Sequence, residues 1–291
     1  MTLGGTFQLG VLNVQRLGFG TMQLTGPGVW GSPKDRDGAR AILRRCVELG
    51  VTLIDTADSY GPNVAEELIY EALHPYPETL VIATKAGLTR SGPDRWEPCG
   101  NPDYLRQQCE GSLKRLGVDQ IDLFQLHRID PHVDADEQFG LLKALRDEGK
   151  VREVGLSEIS VSQIESARRI VPIVSVQNHY NIAQRDADDV VDYCQLQGIG
   201  FIPWFPLGNG KFAVTGGPLE VVAAELGATV TQISLAWLLT RSPVILPIPG
   251  TSSLRHLEDN CAAGEISFTD TQYQELVDSR KAIRRWTLST E

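Results

Sequence analysis

The sequence predicts an α/β chain folded as a single-domain (β/α)8 TIM barrel with a short N-terminal β-hairpin, on three observations. Short apolar runs rich in β-branched residues alternate with amphipathic helical stretches about eight times, the pattern of a parallel sheet with helical crossovers. The length of 291 residues suits one such barrel, and no linker or low-complexity segment divides it, so residues 1–291 read as one domain. Strand count alone leaves a doubly wound sheet open, but its glycine fingerprint is missing. Gly18-Phe19-Gly20 runs on to Gln23, where a third glycine would stand, and no helix starts there.

Residues 6–14 offer two extended pieces about Gly10, a hairpin ahead of the main fold. Residues 16–22, RLGFGTM, read as the first main strand, followed by a loop holding Pro27, Gly28, Trp30, Gly31 and Pro33. Helical spacing over 35–49 places Ala39, Ile42, Leu43, Cys46 and Val47 on one face, with Gly50 as the stop. Further strands are predicted at 51–54, 80–84, 121–126, 151–156, 173–177, 199–204 and 244–248. The helices between them fall near 64–73, 103–116, 136–148, 161–170 and 186–197, then 218–226 with 230–241, 253–262 and a last one near 270–284. The third strand is separated from its helix by a long loop with Trp96 and Cys99.

Apolar content of 42% and charged content of 22% are those of a globular protein in water. The net charge of −10 argues against nucleic acid or an anionic membrane as partner. The five cysteines are scattered with no Cys-x-x-Cys pair, which fits reduced thiols better than disulfides or zinc, and no His or Cys cluster has metal spacing. The N-terminus lacks a basic and apolar leader and no apolar run approaches membrane-spanning length, so a cytoplasmic chain is expected, compatible with a monomer.

Chemistry gathers where the predicted strands end. GVTLIDTADSYG puts Asp55 at the exit of a buried strand and Tyr60 five residues later. Other strand ends supply Lys85 (VIATK), His127 (DLFQLH), Ser157 and Glu158 (VGLSE), Gln177 (VSVQN) and Trp204 (GFIPW). Taken singly these have bland explanations: Asp55 and Lys85 a structural ion pair, His127 a core histidine, Tyr60 a packing residue. Taken together they converge on one mouth of the barrel. An ammonium beside a phenol favours the phenolate and is expected to lower the tyrosine pKa from about 10. A carboxylate keeps that ammonium charged, and an imidazole N–H aligns a carbonyl oxygen.

These motifs resemble the aldo-keto reductase family over essentially the whole chain. The resemblance is carried in order by IDTADSYG, VIATKAG, IDLFQLH, GKVREVGLSE, VSVQNHYN, WFPLGNG and LPIPGTSSLRHLEDN. It implies Tyr60 as general acid, Lys85 and Asp55 as its tuning pair and His127 as the donor that orients a carbonyl. It implies NADP(H) as cofactor, in preference to NAD(H), and a small-molecule carbonyl substrate. Gly20, Thr21, Met22 and Asp55 match positions beside the nicotinamide; Ser157, Glu158 and Gln177 match its carboxamide ligands, and Trp204 the aromatic on which the ring stacks. Leu207, Gly208, Asn209, Gly210 and Lys211 match the loop that covers the pyrophosphate, and Phe205 and Pro206 just ahead of it are further cofactor contacts. Pro249, Gly250, Thr251 and Ser252 lead into a helix whose N-terminus suits a phosphate, with Arg255 and His256 for a 2′-phosphate and Asp259 and Asn260 for adenine. Glu158 departs from the family's usual asparagine, Gly250 from a frequent lysine and His256 from a frequent arginine.

GPGVWG, NHYNIAQR, FPLG and PGTSSLRHL are similar to the subgroup of bacterial pyridoxal reductases. That similarity implies reduction of pyridoxal to pyridoxine, with Trp30, Trp96 and Arg128 lining the substrate pocket. A broad aldehyde reductase, a natural-product tailoring reductase and a non-catalytic nicotinamide-binding sensor are the alternatives. A Schiff-base role for Lys85 is disfavoured, because Asp55 keeps the amine protonated.

Overall fold

The computed structural model describes residues 2–208, 217–280 and 283. Strands β1 (Thr6–Leu9) and β2 (Leu12–Gln15) pair antiparallel. They turn at Gly10, whose φ of +59° lies in the left-handed region that glycine tolerates. Then come β3 (Phe19–Gly20), β4 (Leu53–Asp55) and β5 (Val81–Ala86), an antiparallel hairpin of β6 (Leu88–Gly92) and β7 (Arg95–Pro98), and β8 (Ile121–Leu126), β9 (Val151–Ser157), β10 (Ser175–Gln177) and β11 (Gly200–Phe201). The seven main strands form one parallel sheet in the order β11-β10-β9-β8-β5-β4-β3.

Both edges of that sheet are met by one extended segment. The Phe201 N–H donates to Val244 O and the Leu246 N–H to Phe201 O, while on the far side the Gly18 N–H donates to Pro247 O. Residues 244–248 thus satisfy edge groups that would otherwise stand open. Pro247 and Pro249 remove backbone donors there, which is why the strand expected at 244–248 is a bridge rather than a regular ladder.

Ten helices stand among the described residues: α1 (Arg36–Glu48), α2 (Val64–Leu73), α3 (Pro102–Leu116), α4 (Ala135–Asp147), α5 (Val161–Arg168), α6 (Asp188–Gln197), α7 (Pro218–Leu226), α8 (Val230–Arg241), α9 (Leu254–Ala262) and α10 (Asp270–Asp278). Their starts carry local signals. Asp35 caps α1, Asn101 followed by Pro102 opens α3, and Ser160 with Gln163 and Thr229 with Gln232 form capping boxes on α5 and α8. No single helix among the described residues is long and apolar enough to cross a membrane.

Several boundaries differ from expectation for identifiable reasons. The first main strand, expected over 16–22, contracts to Phe19–Gly20, because the Arg16 and Leu17 N–H groups bond to Gly5 O and Leu3 O and residues 22–24 turn into a 3-10 helix. The strand expected at 199–204 stops at Phe201, with Pro203 in the remainder. The loop around Trp96 carries the β6–β7 hairpin. The last helix, expected near 270–284, runs Asp270–Asp278, and beyond a turn at Ser279, Arg280 and Ile283 are helical again.

Side chains alternate along the sheet strands, and the alternation sorts the core. Inward positions Leu53, Val81, Ala83 and Leu123 pack with Leu9, Leu12 and Val14 of the hairpin, so β1 and β2 fill the N-terminal end of the sheet. Outward positions Ile54 and Ile82 pack on α1 and α2, and Phe124 and Val154 on the following helices. Among the outward positions, Thr84 is polar. Its hydroxyl donates to Glu66 Oε1 on α2 at 2.6 Å, and Arg115 Nε from α3 donates to Glu66 Oε2 at 2.6 Å. Glu66 is fully buried, so Glu66→Ala is expected to strand a half-buried guanidinium and a buried hydroxyl, lowering stability by about 3–5 kcal/mol in urea titration. A loss below about 1 kcal/mol would show that the pair is a surface-like ornament.

Candidate active site

At the C-terminal ends of the strands the inward layer turns from apolar to polar. Asp55 ends β4, Lys85 and Gln125 face each other across β5 and β8, and Ser175 and Gln177 belong to β10. Lys85 is fully buried and Asp55 nearly so. Lys85 Nζ donates to Asp55 Oδ1 at 2.6 Å and to Thr56 O at 2.7 Å. The other carboxylate oxygen, Oδ2, accepts from Gln177 Nε2 at 2.9 Å and Gln125 Nε2 at 3.3 Å. Gln125 Oε1 accepts in turn from Ser175 Oγ at 3.3 Å. Gly155 makes room for this chain, since a Cβ there would stand 2.0 Å from Ser175 Oγ. Every oxygen of the buried carboxylate therefore has a donor, which is the condition for keeping such a charge out of water.

Burial works against the Lys85 charge, yet Asp55 and then Tyr60 outweigh it and hold the ammonium above its ordinary pKa. The Tyr60 ring centre lies 5.3 Å from Lys85 Nζ. Here one expectation is corrected. Burial pushes the Tyr60 phenol above its ordinary pKa; Lys85 pulls it down, and Asp55 pushes it back up. The ammonium reduces the rise without reversing it, because the same low-dielectric surroundings that strengthen its pull also penalise a phenolate.

His127 follows β8 directly, tied to β5 by its N–H donating to Ala86 O at 2.8 Å. Its ring stands edge-on to Tyr60 at 6.0 Å, with Ser59 Oγ 3.4 Å from Nδ1. Burial, then the charges of Lys85, Arg128 and Arg90, hold its pKa well below the ordinary value. The imidazole is neutral near pH 7, with one N–H to donate.

Tyr60 and His127 look into a cleft of about 1620 Å³. That exceeds the roughly 300–1,000 Å³ of a pocket for one drug-sized molecule, and leaves space for a large cofactor and a substrate together. Gly20, Thr21, Met22, Asp55, Ser157 and Gln177 line it near Tyr60. Trp204, Phe205, Pro206 and Leu207 form another part of the wall, and Pro249, Gly250, Thr251 and Ser252 a third. Arg255, His256, Asp259 and Asn260 of α9 complete that end. Ser253 caps α9, Thr251 Oγ1 accepts from the Ser253 N–H at 3.1 Å, and Arg255 is 86% exposed with Asp259 at 3.8 Å. Hydroxyls, a helix N-terminus and a weakly paired guanidinium suit a phosphate monoester. Trp96 and Arg128 also line the cleft, with Arg128 Nη1 donating to Ser157 Oγ at 3.0 Å.

Four expected site residues stand off the wall. Lys85 lies behind Tyr60, and Gly208 falls outside the lining. Glu158, expected among the carboxamide ligands, has a φ of +54°. Its carboxylate accepts from Trp204 Nε1 and the His179 N–H, each at 2.6 Å, instead of entering the cleft. Trp204 stacks on His179, ring centres 4.4 Å apart. Trp30, expected in the substrate pocket, sits outside it, 5.7 Å from the Arg90 guanidinium. Asn209, Gly210 and Lys211 lie outside the described residues. Sequence reasoning missed Gln125 and Ser175, although counting by two along their strands puts both on the inward face. It also missed Arg90, which nothing local distinguishes.

Comparison with known proteins agrees with this geometry. The model of the Aldo/keto reductase family matches residues 16–281. The chain is 49% identical to an uncharacterized oxidoreductase of Schizosaccharomyces pombe, covering 96% of this chain and 90% of the relative. It is 44% identical to pyridoxine 4-dehydrogenase of Escherichia coli, covering 91% and 94%. A crystal structure of an aldo-keto reductase from Klebsiella pneumoniae in complex with NADPH superposes with a TM-score of 0.78 at 26% identity, covering 93% of each chain.

The depressed His127 pKa makes a prediction about stability. Above the ordinary imidazole value both folded and unfolded chains carry a neutral ring; below it the unfolded chain binds a proton that the folded one refuses. His127 therefore weakens the fold as pH drops from about 6.5 towards the lower folded value, at up to about 1.4 kcal/mol per pH unit. His127→Gln is expected to lose less stability than wild type between about pH 7 and 5.5 in parallel denaturant titrations. Identical losses would mean that His127 titrates as it does in water.

Proposed function

The chain belongs to the aldo/keto reductase family, and from that premise we propose that it is an NADPH-dependent reductase of aldehydes or ketones, with pyridoxal as first substrate. The observation that carries the reading is the Lys85–Asp55 pair, buried directly behind a phenol that faces a large cleft beside a neutral imidazole. The relative named pyridoxine 4-dehydrogenase supports pyridoxal, and the relative solved with NADPH supports the cofactor. The proposal includes a closed (β/α)8 barrel as one domain, for which the edge-to-edge hydrogen bonds of residues 244–248 speak.

The residues present fit the cofactor. Ser157 keeps a hydroxyl hydrogen and Gln177 its Oε1 for a carboxamide, since the one accepts from Arg128 and the other donates to Asp55. Thr251, Ser252, the α9 N-terminus, Arg255 and His256 would hold the 2′-phosphate. When bound, the dinucleotide supplies the hydride that reduces the carbonyl carbon. The chain's own contribution is to the oxygen. The neutral His127 N–H donates to the carbonyl oxygen and orients it. As negative charge builds there, the Tyr60 hydroxyl gives up its proton to it. The raised phenol pKa keeps Tyr60 protonated and ready at neutral pH. The ammonium of Lys85 stabilises the phenolate left behind, and Asp55 with Gln125 and Gln177 keeps that ammonium charged and in place.

Tyr60→Phe is expected to fold and bind NADPH while losing at least about 100-fold in kcat/KM with pyridoxal. A rate within a few-fold of wild type would remove Tyr60 as the acid. If wild type binds NADPH yet oxidises almost none with a panel of aldehydes, the protein is a sensor and not a reductase. NADPH is expected to exceed NADH in kcat/KM, and Arg255→Ala to reduce that preference about tenfold by removing a charge-assisted phosphate contact. Equal use of both cofactors by wild type would overturn the assignment at α9.

A further inference from the structure

Apart from its charge near His127, Arg90 has no role in the chemistry above, yet its side chain ties together several segments around the mouth of the cleft. It sits in β6 directly opposite Trp96 of β7, where cross-strand partners share a face. Its guanidinium carbon lies 3.5 Å from the Trp96 ring centre, a close cation–π stack. All five of its N–H groups are spent on backbone carbonyls. Nε donates to Arg95 O at 3.0 Å; Nη1 to Val29 O at 2.7 Å and Ser59 O at 2.8 Å; Nη2 to Gly28 O at 2.7 Å and Gly92 O at 3.2 Å. No carboxylate lies within ion-pair distance of it among the described residues. One cation therefore joins three separate pieces of chain: the loop after β3, the residue preceding Tyr60, and both sides of the β6–β7 turn.

Two features show what this join holds in place. Val29, a β-branched residue, is held at a φ of +52°, a costly conformation that persists only when its surroundings enforce it. Its carbonyl accepts from Arg90 and from the Gly61 N–H at 3.2 Å, which fixes it from two sides. The Trp96 ring that Arg90 backs stands edge-on to Tyr60 at 6.3 Å and to His127 at 6.4 Å, forming the aromatic wall beside both. Lysine could replace neither function, having three donors and no plane to stack.

We propose that Arg90 is a positioning residue: by stacking on Trp96 and gripping the Ser59 carbonyl it sets an aromatic wall against Tyr60 and His127, selecting carbonyls attached to a planar aromatic ring. The proposal rests on the reductase reading for its kinetic consequence. A flat ring slides along an indole held in place; a flexible aliphatic chain gains little from it.

The test uses Arg90→Lys, Trp96→Ala and their double variant with NADPH, reading kcat/KM for pyridine-4-carbaldehyde and for butanal. The ratio of the two is expected to fall at least about fivefold in each single variant, with no further fall in the double variant, since both act through one ring. The NADPH dissociation constant is expected to hold within about twofold in all three, since neither residue touches the proposed phosphate site. An unchanged ratio in either single variant overturns the proposal, as does an equal loss for both aldehydes. Trp96→Ala leaves the carbonyl grip intact, so an unchanged ratio in that variant overturns the proposal even if Arg90→Lys fails to fold. A further arm needs no turnover: acrylamide quenching of the Trp96 emission, isolated by subtracting Trp96→Phe spectra from wild type and from Arg90→Lys. Greater access to the ring in Arg90→Lys is expected, and equal access overturns the proposal even if wild type reduces no aldehyde.

Discussion

The structure depends on an ammonium that water never reaches. Lys85 sits at the centre of the sheet with no exposed surface, where an isolated charge would cost several kcal/mol. Asp55 and the Thr56 carbonyl make it tolerable, and Asp55 is made tolerable by the amides of Gln125 and Gln177. With Lys85 itself on β5, the group draws on four strands, its partners coming from β4, β8 and β10. None of them can move without leaving a buried charge short of a contact, so the pair fixes the relative positions of the strand ends. The most expensive feature of the interior is also the one on which the proposed proton transfer draws.

Alternation along β5 extends that rigidity outward. Lys85 points into the sheet's concave side and Thr84, one residue earlier, points towards the helices, where it is bonded to Glu66. The backbone carrying the ammonium is therefore gripped on both faces, by Asp55 within and by the Glu66–Arg115 pair outside. At the other end of the sheet, Leu9, Leu12 and Val14 fill the space beneath the same strands with hydrocarbon. Polar residues occupy the open end and apolar ones the plugged end, and the two regimes meet within a single strand between Ala83 and Lys85.

What was legible in the sequence follows from these constraints. Asp55, Lys85 and His127 stand out because an ionisable side chain at the end of an apolar run has no cheap structural explanation. Helix starts fall within a residue of expectation where a local cap stands in the structure, as at Asp35, Asn101 and Ser160. The remainder depends on distances between segments. Arg90 is one arginine among many until the hairpin brings it over Trp96 and beneath the carbonyls of Val29 and Ser59. Glu158 looked like a cleft residue by position, and a left-handed backbone with Trp204 as partner turned it elsewhere. The first strand contracted because the N-terminal segment competes for the donors of Arg16 and Leu17.

The Tyr60 phenol shows why a charge nearby is not enough to know a pKa. Proximity of an ammonium argues for a more acidic phenol, and depth argues for a less acidic one; here depth wins. For a group proposed to deliver a proton this is the useful outcome. A phenol made strongly acidic would spend part of its time as phenolate at neutral pH, unable to donate. One buried without an ammonium would hold its proton but pay the whole desolvation cost in the transition state. Lys85 behind the ring separates the two demands, because its attraction is largest for the charged form that exists only after the proton has left. The neutral His127 complements this, since an imidazolium there would compete with Tyr60 as acid and repel the ammonium. Lys85 is held in place behind the ring, and the Tyr60 hydrogen is the one proton the proposed chemistry would move.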